Sequence, residues 1–428
     1  MPSISLSPDP LLELNLSRRR GQPLGIYSVC SAHRWALEAA CDQAVADGST
    51  LLVEATSNQV NHRGGYTGMS PADFRHYLAD IAASRGLQPE KLILGGDHLG
   101  PNPWRHLPAK HAMEEAKLTV RAYVRAGFHK IHLDASMPCA DDSAPLSDET
   151  IALRATRLCA AAEEEAGDLK PLYVLGSEVP TPGGATEELN HLAVTTRDAA
   201  AETLAVHRSV FDASGLGHVW PRVIALVVQP GVEFNHTSVV DYDPAGATHL
   251  SKLLDQEETL VYEAHSTDYQ RPEAYQNLVH DGFAILKVGP ALTFAMREAL
   301  DALARIEQEL LPGEQCSQLL EVIDQTMLRE RGNWEHHYTG SERTVRMLLR
   351  YSYSDRVRYY WNHPEIQRAV ETLLLNLSGI SIPETLLSAF LPDQYRAVRA
   401  GSLQSDAHAL IVHRIRQVLL PYAEACAS

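Results

Sequence analysis

Between about residue 24 and residue 310 one unit recurs eight times: a short apolar, β-branched run, a polar loop, then a longer amphipathic stretch rich in Ala, Leu, Glu and Arg. The runs are LGIYSVCSAH, TLLVEATSNQ, LILGGDHLGP, KIHLDAS, PLYVLGSEVP, VIALVVQPGVEF, TLVYEAHSTDY and AILKVGPALT. Runs apolar on both faces and alternating with helical stretches require a parallel sheet covered by helices. Eight of them predict an α/β chain with a closed (β/α)8 TIM barrel over residues 1–310. A doubly wound open sheet is the alternative, but no G-x-G-x-x-G follows the first run. Past residue 310 the strand-like runs stop, which predicts a helical C-terminal extension over residues 311–428 packed on the barrel. Within it SDRVRYYWNHPEIQ carries three consecutive aromatics and two arginines. It reads as an anchor to the barrel, because a Tyr-Tyr-Trp cluster is large apolar area that finds a core; an interface is the other reading.

Composition narrows the function. Lys and Arg total 37 against 54 Asp and Glu, a formal charge of −17, and no basic stripe is interleaved with aromatics. Nucleic acid is therefore not expected as a partner. Cysteines 30, 41, 139, 159, 316 and 426 form no C-x-x-C pair and read as reduced thiols. No signal peptide and no run of the ~20 apolar residues that span a bilayer occurs, so a cytoplasmic chain with no membrane contact is expected.

Reacting groups of a barrel sit where its strands end. The runs here end in Glu54, Ser57 and Asn58; Asp97 and His98; His132, Asp134 and Ser136; Ser177 and Glu178; Gln229, Glu233 and His236; and Glu263, His265 and Asp268; Lys287 lies in the eighth. His98, Glu233 and His265 are far apart in sequence, yet a closed barrel aims their strands at one volume. Two imidazoles and a carboxylate suit a divalent Lewis acid, zinc first, with Mn, Co or Ni as alternatives. Asp97 should point to the other side of the backbone from His98, beside the metal, where a carboxylate takes or returns a hydroxyl proton; capping or orienting the loop LGPNPW is the other reading. Glu54, Asn58, Asp134, Ser136, Glu178, Asp268 and Lys287 are the expected substrate contacts. Lys287 also invites a Schiff-base role, although beside a metal set a salt bridge or substrate contact is the better reading. Glu187 and Glu188, in VPTPGGATEELNHL, read either as an acid on a lid or as a solvated pair opening the next helix. Arg63, Gly64 and Gly65 offer an anion loop that matches no P-loop; no kinase signature occurs, and nothing supports phosphoryl transfer from ATP.

In order along the chain, GIYSVCSAH, EATSNQVN with GGYTGM, ILGGDHLGPNPW, IHLDAS, GSEVPTPGG, QPGVEF, YEAHSTDYQ and ILKVGPALT resemble the non-catalytic, Z-type subunit of class II tagatose-bisphosphate aldolase. That family belongs to galactitol and N-acetylgalactosamine catabolism, and some members carry an old label as tagatose-6-phosphate kinases. It is similar in turn to the catalytic, metal-dependent class II aldolases. The resemblance puts Asp97 on their acid/base, His98 on the first metal ligand and His265 on a later histidine ligand. Glu233 falls where they have histidine, and Glu187 or Glu188 near their mobile-loop glutamate. It also marks departures: Ser266, Thr267 and Asp268 replace a Gly-Gly-Ser phosphate turn, and Gly289 and Pro290 replace an Asn-containing loop. An unphosphorylated or differently held sugar is therefore expected.

The resemblance implies a helper that keeps a class II aldolase partner folded and active. The residues allow an alternative, a stand-alone or self-associating metal-dependent C4-epimerase of ketohexoses (tagatose, fructose or their phosphates), in which Asp97 removes the C4 hydroxyl proton and the C3–C4 bond opens and re-forms. 

Overall fold

The eight apolar runs fold as strands with almost no exposure on either face. In a computed structural model, which describes residues 9–176 and 192–427, they are β1 (Ile26–Val29), β2 (Leu51–Thr56), β3 (Leu92–Leu99), β4 (Lys130–Leu133), β5 (Leu172–Leu175), β6 (Val223–Val227), β9 (Val261–Ala264) and β10 (Phe283–Val288). All pair in parallel, in that order, and β10 closes on β1. The barrel is the expected one, with a departure in the sixth run. The sixth run holds two strands, because Pro230 and Gly231, the latter at φ 94°, turn the chain after β6. Beyond them β7 (Glu233–Phe234) pairs antiparallel with β8 (Val239–Val240) outside the barrel.

A helix follows each barrel strand, and several starts are written in the sequence: Ser70 and Asp73 form a reciprocal capping box, and Ser147 and Thr196 cap with their hydroxyls. The helix Pro10–Arg19 plugs the far end of the barrel. Its Leu11 and Leu14 join Ile26, Leu52, Ile93, Leu172 and Ile285 in an apolar cluster, and Asn15 Nδ2 donates to Leu260 O at 2.8 Å.

Residues past 310 fold into helices, among them Leu319–Arg329, Glu342–Tyr351, Pro364–Leu377 and Ala407–Cys426. Ala407–Cys426 lies against the helices Arg34–Asp47, Pro272–His280 and Pro290–Leu310 and against β1. Cys426 O accepts the Gly25 N–H at 3.1 Å, and a Cβ on Gly25 would lie 2.9 Å from Cys426 Sγ, so glycine permits that approach. No helix among the described residues is long and apolar enough to cross a membrane.

Glu38 pins this last helix: its carboxylate takes His408 Nε2 at 2.7 Å and Arg34 Nε at 2.8 Å. Burial alone would raise its pKa, but these hydrogen bonds prevail and hold it below the ordinary value. The resulting stability is present above the unfolded-state pKa and disappears as pH falls through the depressed folded value. Glu38→Gln is therefore expected to lower stability by about 1 kcal/mol at pH 7, a gap that urea titrations should find narrowing toward zero below about pH 4.

Candidate active site

Residues two apart on a strand share a face, so alternate positions along a strand rise through successive levels of the barrel interior. Above the apolar layer of Leu52, Ile93, Val261 and Ile285 come Glu54, Gly95, Glu263 and Lys287, with Lys130 on β4. Two residues further on stand Asp97, His132 and His265. The middle layer is a buried ion cluster. Lys130 Nζ lies 2.8 Å from both oxygens of Glu54 and 2.7 Å from Glu263 Oε2. Lys287 Nζ stands 2.8 Å from Asp97 Oδ1, 2.9 Å from Glu54 Oε2 and 3.1 Å from Glu263 Oε1, as ion pairs whose angles fall outside hydrogen-bond geometry. Gly95 makes room for this layer, since a Cβ there would sit 2.6 Å from Glu54 Cγ.

Three imidazoles roof the cluster. The rings of His98, His132 and His265 lie 4.9 to 5.4 Å apart, and with Asp97 each offers a ligand atom within 4.8 Å of the others. Each ring has one nitrogen held from outside: His98 Nδ1 by Asp134 Oδ2 at 2.7 Å, His265 Nε2 by Glu263 Oε1 at 2.9 Å, His132 Nε2 by Gly176 O at 2.9 Å. Ser136 donates to Asp134 Oδ1 at 2.8 Å and fixes that carboxylate in turn.

Asp97 and His98 do not diverge as strand alternation predicts. His98 adopts φ 47° and the β3–β4 register shifts between Gly96 and Leu99, leaving His98 Nε2 3.8 Å from Asp97 Oδ2. Ser266 shares this left-handed backbone, at φ 52°, a conformation that persists in non-glycine residues only where the surroundings enforce it.

This arrangement fits a divalent metal. Two ammoniums, Lys130 and Lys287, face four carboxylates, Glu54, Asp97, Asp134 and Glu263, an excess of two negative charges before any imidazole is protonated. A carboxylate or carbonyl behind each ring fixes its tautomer and orientation, as metal-binding histidines require. Burial pushes His265 down to about 3, keeping it a neutral donor at pH 7, while for His98 burial is outweighed by Asp97 and Asp134, which raise it. Burial alone would raise Asp97, yet His98 and Lys287 hold it well below the carboxylate range. A second potential ligand group, Glu54, Asp97 and Glu263, already encloses the two ammoniums.

The remaining expected site residues divide by position. Asn58, Lys287 and Asp268 line a cavity of about 720 Å³ above the imidazoles. Glu54 is fully buried beneath it, and Asp134 and Ser136 stand behind His98 rather than along its wall. Asp268 Oδ1 accepts the N–H groups of Gly289 and Ala291 at 3.0 and 2.9 Å, at the start of the helix Pro290–Leu310; burial pushes its carboxyl up to about 6. Glu233 is buried on β7, where its Oε1 accepts the Phe234 N–H at 2.9 Å, and it is not in the converging ligand group. Glu178, Glu187 and Glu188 lie outside the described residues. Arg63 pairs with Glu115, and Asn61 Oδ1 takes the Arg63 and Gly65 N–H groups, so that loop's donors are already engaged.

Residues 11–427 match the family described as D-tagatose-1,6-bisphosphate aldolase subunit GatZ/KbaZ-like. The chain belongs to this family. A crystal structure described as a probable tagatose 6 phosphate kinase from Sinorhizobium meliloti 1021 is similar at 47% identity and a TM-score of 0.88, over 94% of this chain and 100% of that one. The YdjI aldolase from Escherichia coli K12 (13% identity, TM-score 0.43, 87% and 98% covered) and a fructose-bisphosphate aldolase from Campylobacter jejuni (12%, 0.44, 84% and 89%) are far more remote.

In this GatZ/KbaZ-like chain, reading strand ends alone left His132 and Glu263 among many polar residues and passed over Lys130. The alternation 130-132-134 and 261-263-265 is the signal that collects them. The extension also reaches the site. Tyr360 and Trp361 anchor in the core as expected, but Arg356, Arg358 and Tyr359, with Trp361 itself, line the cavity.

Proposed function

We propose that the chain is the Z-type subunit of a D-tagatose-1,6-bisphosphate aldolase, which supports the activity and stability of a class II catalytic partner and keeps a divalent metal site of its own. The observation that carries the metal site is the convergence of His98, His132 and His265 over a cluster in which four carboxylates face two ammoniums. We assign those three imidazoles as the residues that would hold the ion, zinc by its preference for nitrogen donors, with Mn, Co or Ni as alternatives. A bound ion would supply Lewis-acid polarisation of a ketose carbonyl.

The chain's own groups do the rest. Asp97 Oδ1 is held by Lys287 at 2.8 Å and lies 2.9 Å from His132 Nδ1, the nitrogen left to turn to an ion, while among the described residues Oδ2 has Cys30 Sγ at 3.9 Å and His98 at 3.8 Å. Oδ2 is therefore the atom that takes or returns a hydroxyl proton, and the depressed pKa keeps it ionised for that step. The Lys287 ammonium fixes the carboxylate, which argues against a Schiff base: its neighbouring carboxylates outweigh burial and hold its pKa well above the ordinary value. Galactitol and tagatose catabolism in a reducing cytoplasm suits the six free cysteines.

The test combines two measurements. The chain is expected to co-purify with a class II aldolase subunit, which should lose stability without it; no association and no stabilisation would overturn the helper role. Incubation of the chain alone, chelated and then reloaded with each metal, with tagatose, fructose and their phosphates reports its own chemistry. Metal-dependent interconversion would favour the C4-epimerase instead, and absence of product with every metal leaves the supporting role.

A further inference from the structure

The C-terminal extension contributes one turn, Arg356–Tyr359, to the wall of the cavity above the imidazoles. In it two guanidiniums flank a single ring: the Arg358 Cζ lies 4.7 Å and the Arg356 Cζ 5.0 Å from the Tyr359 centroid, and Tyr66 meets that ring edge-on at 5.2 Å. Backbone carbonyls hold both heads: Arg358 donates to Ser354 O and Arg356 to Asn333 O, and Arg358 Nη2 also donates to Tyr359 Oη at 2.9 Å. Neither meets a carboxylate within 4.0 Å among the described residues. The nearby Asp355 is engaged elsewhere, with Arg297 at 3.1 Å and Thr293 at 2.6 Å. Two fixed cations that make no ion pair among the described residues, with Asp355 and Asp268 acting on Arg358 only from beyond contact distance, face one cavity in a chain of net charge −17.

Across that cavity the ordinary barrel site for an anion, the helix start after the last strand, is filled by the chain itself. Asp268 takes the Gly289 and Ala291 N–H groups that a phosphate would use. We propose that Arg356 and Arg358 bind the phosphate of a ketohexose monophosphate, whose carbonyl end then lies toward His98, His132 and His265. A phosphomonoester dianion neutralises both guanidiniums, whereas a carboxylate neutralises one. The sugar part of the assignment rests on the ketose reading given above; the anion site does not.

Calorimetry on the full chain tests it with fructose, fructose 6-phosphate, fructose 1,6-bisphosphate, a hexulosonic acid and inorganic phosphate. Fructose 6-phosphate should bind at least about tenfold tighter than fructose, with inorganic phosphate competing, and the bisphosphate should gain no further tenfold. Arg356→Gln and Arg358→Gln should each abolish most of the preference while fructose affinity and melting temperature hold; Arg→Lys at either position should restore part of it. Equal affinity for sugar and sugar phosphate, a preference unmoved by both variants, or tighter binding of the hexulosonic acid would overturn the site. If Arg358→Gln does not fold, Arg356→Gln and the wild-type preference still decide. Phosphate binding that depends on the arginines in a chain that holds no metal would sustain this site and sink the metal reading alone.

Discussion

A chain carrying His98→Ala and His265→Ala together is expected to hold no stoichiometric metal after purification or reloading, where the unaltered chain holds about one ion per site. Two of the three imidazoles would be gone, and a single His132 with Asp97 retains a borderline divalent ion only weakly. Elemental analysis reads the outcome directly. A second readout separates ion loss from unfolding: a chelator should lower the melting temperature of the unaltered chain and leave the double variant unmoved, because an ion that binds only the folded state stabilises it by mass action. Glu233→Gln is the companion variant and should keep the ion. Unchanged metal content in a folded double variant would end the metal-site reading.

Lys130→Met should be the most damaging single substitution beneath the site, at about 3–5 kcal/mol by urea unfolding. Lys130 is fully buried and holds Glu54 and Glu263 together; without it both carboxylates compete for Lys287, which already pairs with Asp97. The loss is one of uncompensated charge rather than of packing, since Met is nearly the same length. Adding Glu54→Gln to Lys130→Met should therefore recover part of the stability, a coupling that a double-mutant cycle measures. A loss below about 1 kcal/mol, the scale of an exposed pair, would show that the cluster is not load-carrying.

The barrel was readable because parallel strands covered on both sides must be apolar throughout, and that pattern survives in a single sequence. Asp97, His98 and His265 were readable because strand ends converge. The orientation of Asp97 relative to His98 was not, because it depends on a positive φ at a histidine, which no residue type announces. His132 and Lys130 were obscured by a different cause: a lysine between apolar residues looks like a strand boundary, and only the closed ring of strands supplies Glu54 and Glu263 to neutralise it. The arginines of the extension were least accessible of all. Their role depends on where Arg356–Tyr359 docks, a tertiary fact set by Trp361, Tyr360 and Val357 burying nearby.

The helix Ala407–Cys426 completes the shell beside β1, yet it follows the end of β10 by more than a hundred residues. On a ribosome adding about 5–20 residues per second, all eight barrel strands exist on the order of 10 s before that cover can arrive. During the interval Tyr27 and its neighbours on the first strand have no roof, and the newborn barrel presents a sticky seam to every other nascent chain. Yield in a foreign host should therefore respond to chaperone supply and to the rate of synthesis, which sets how long that seam stays open.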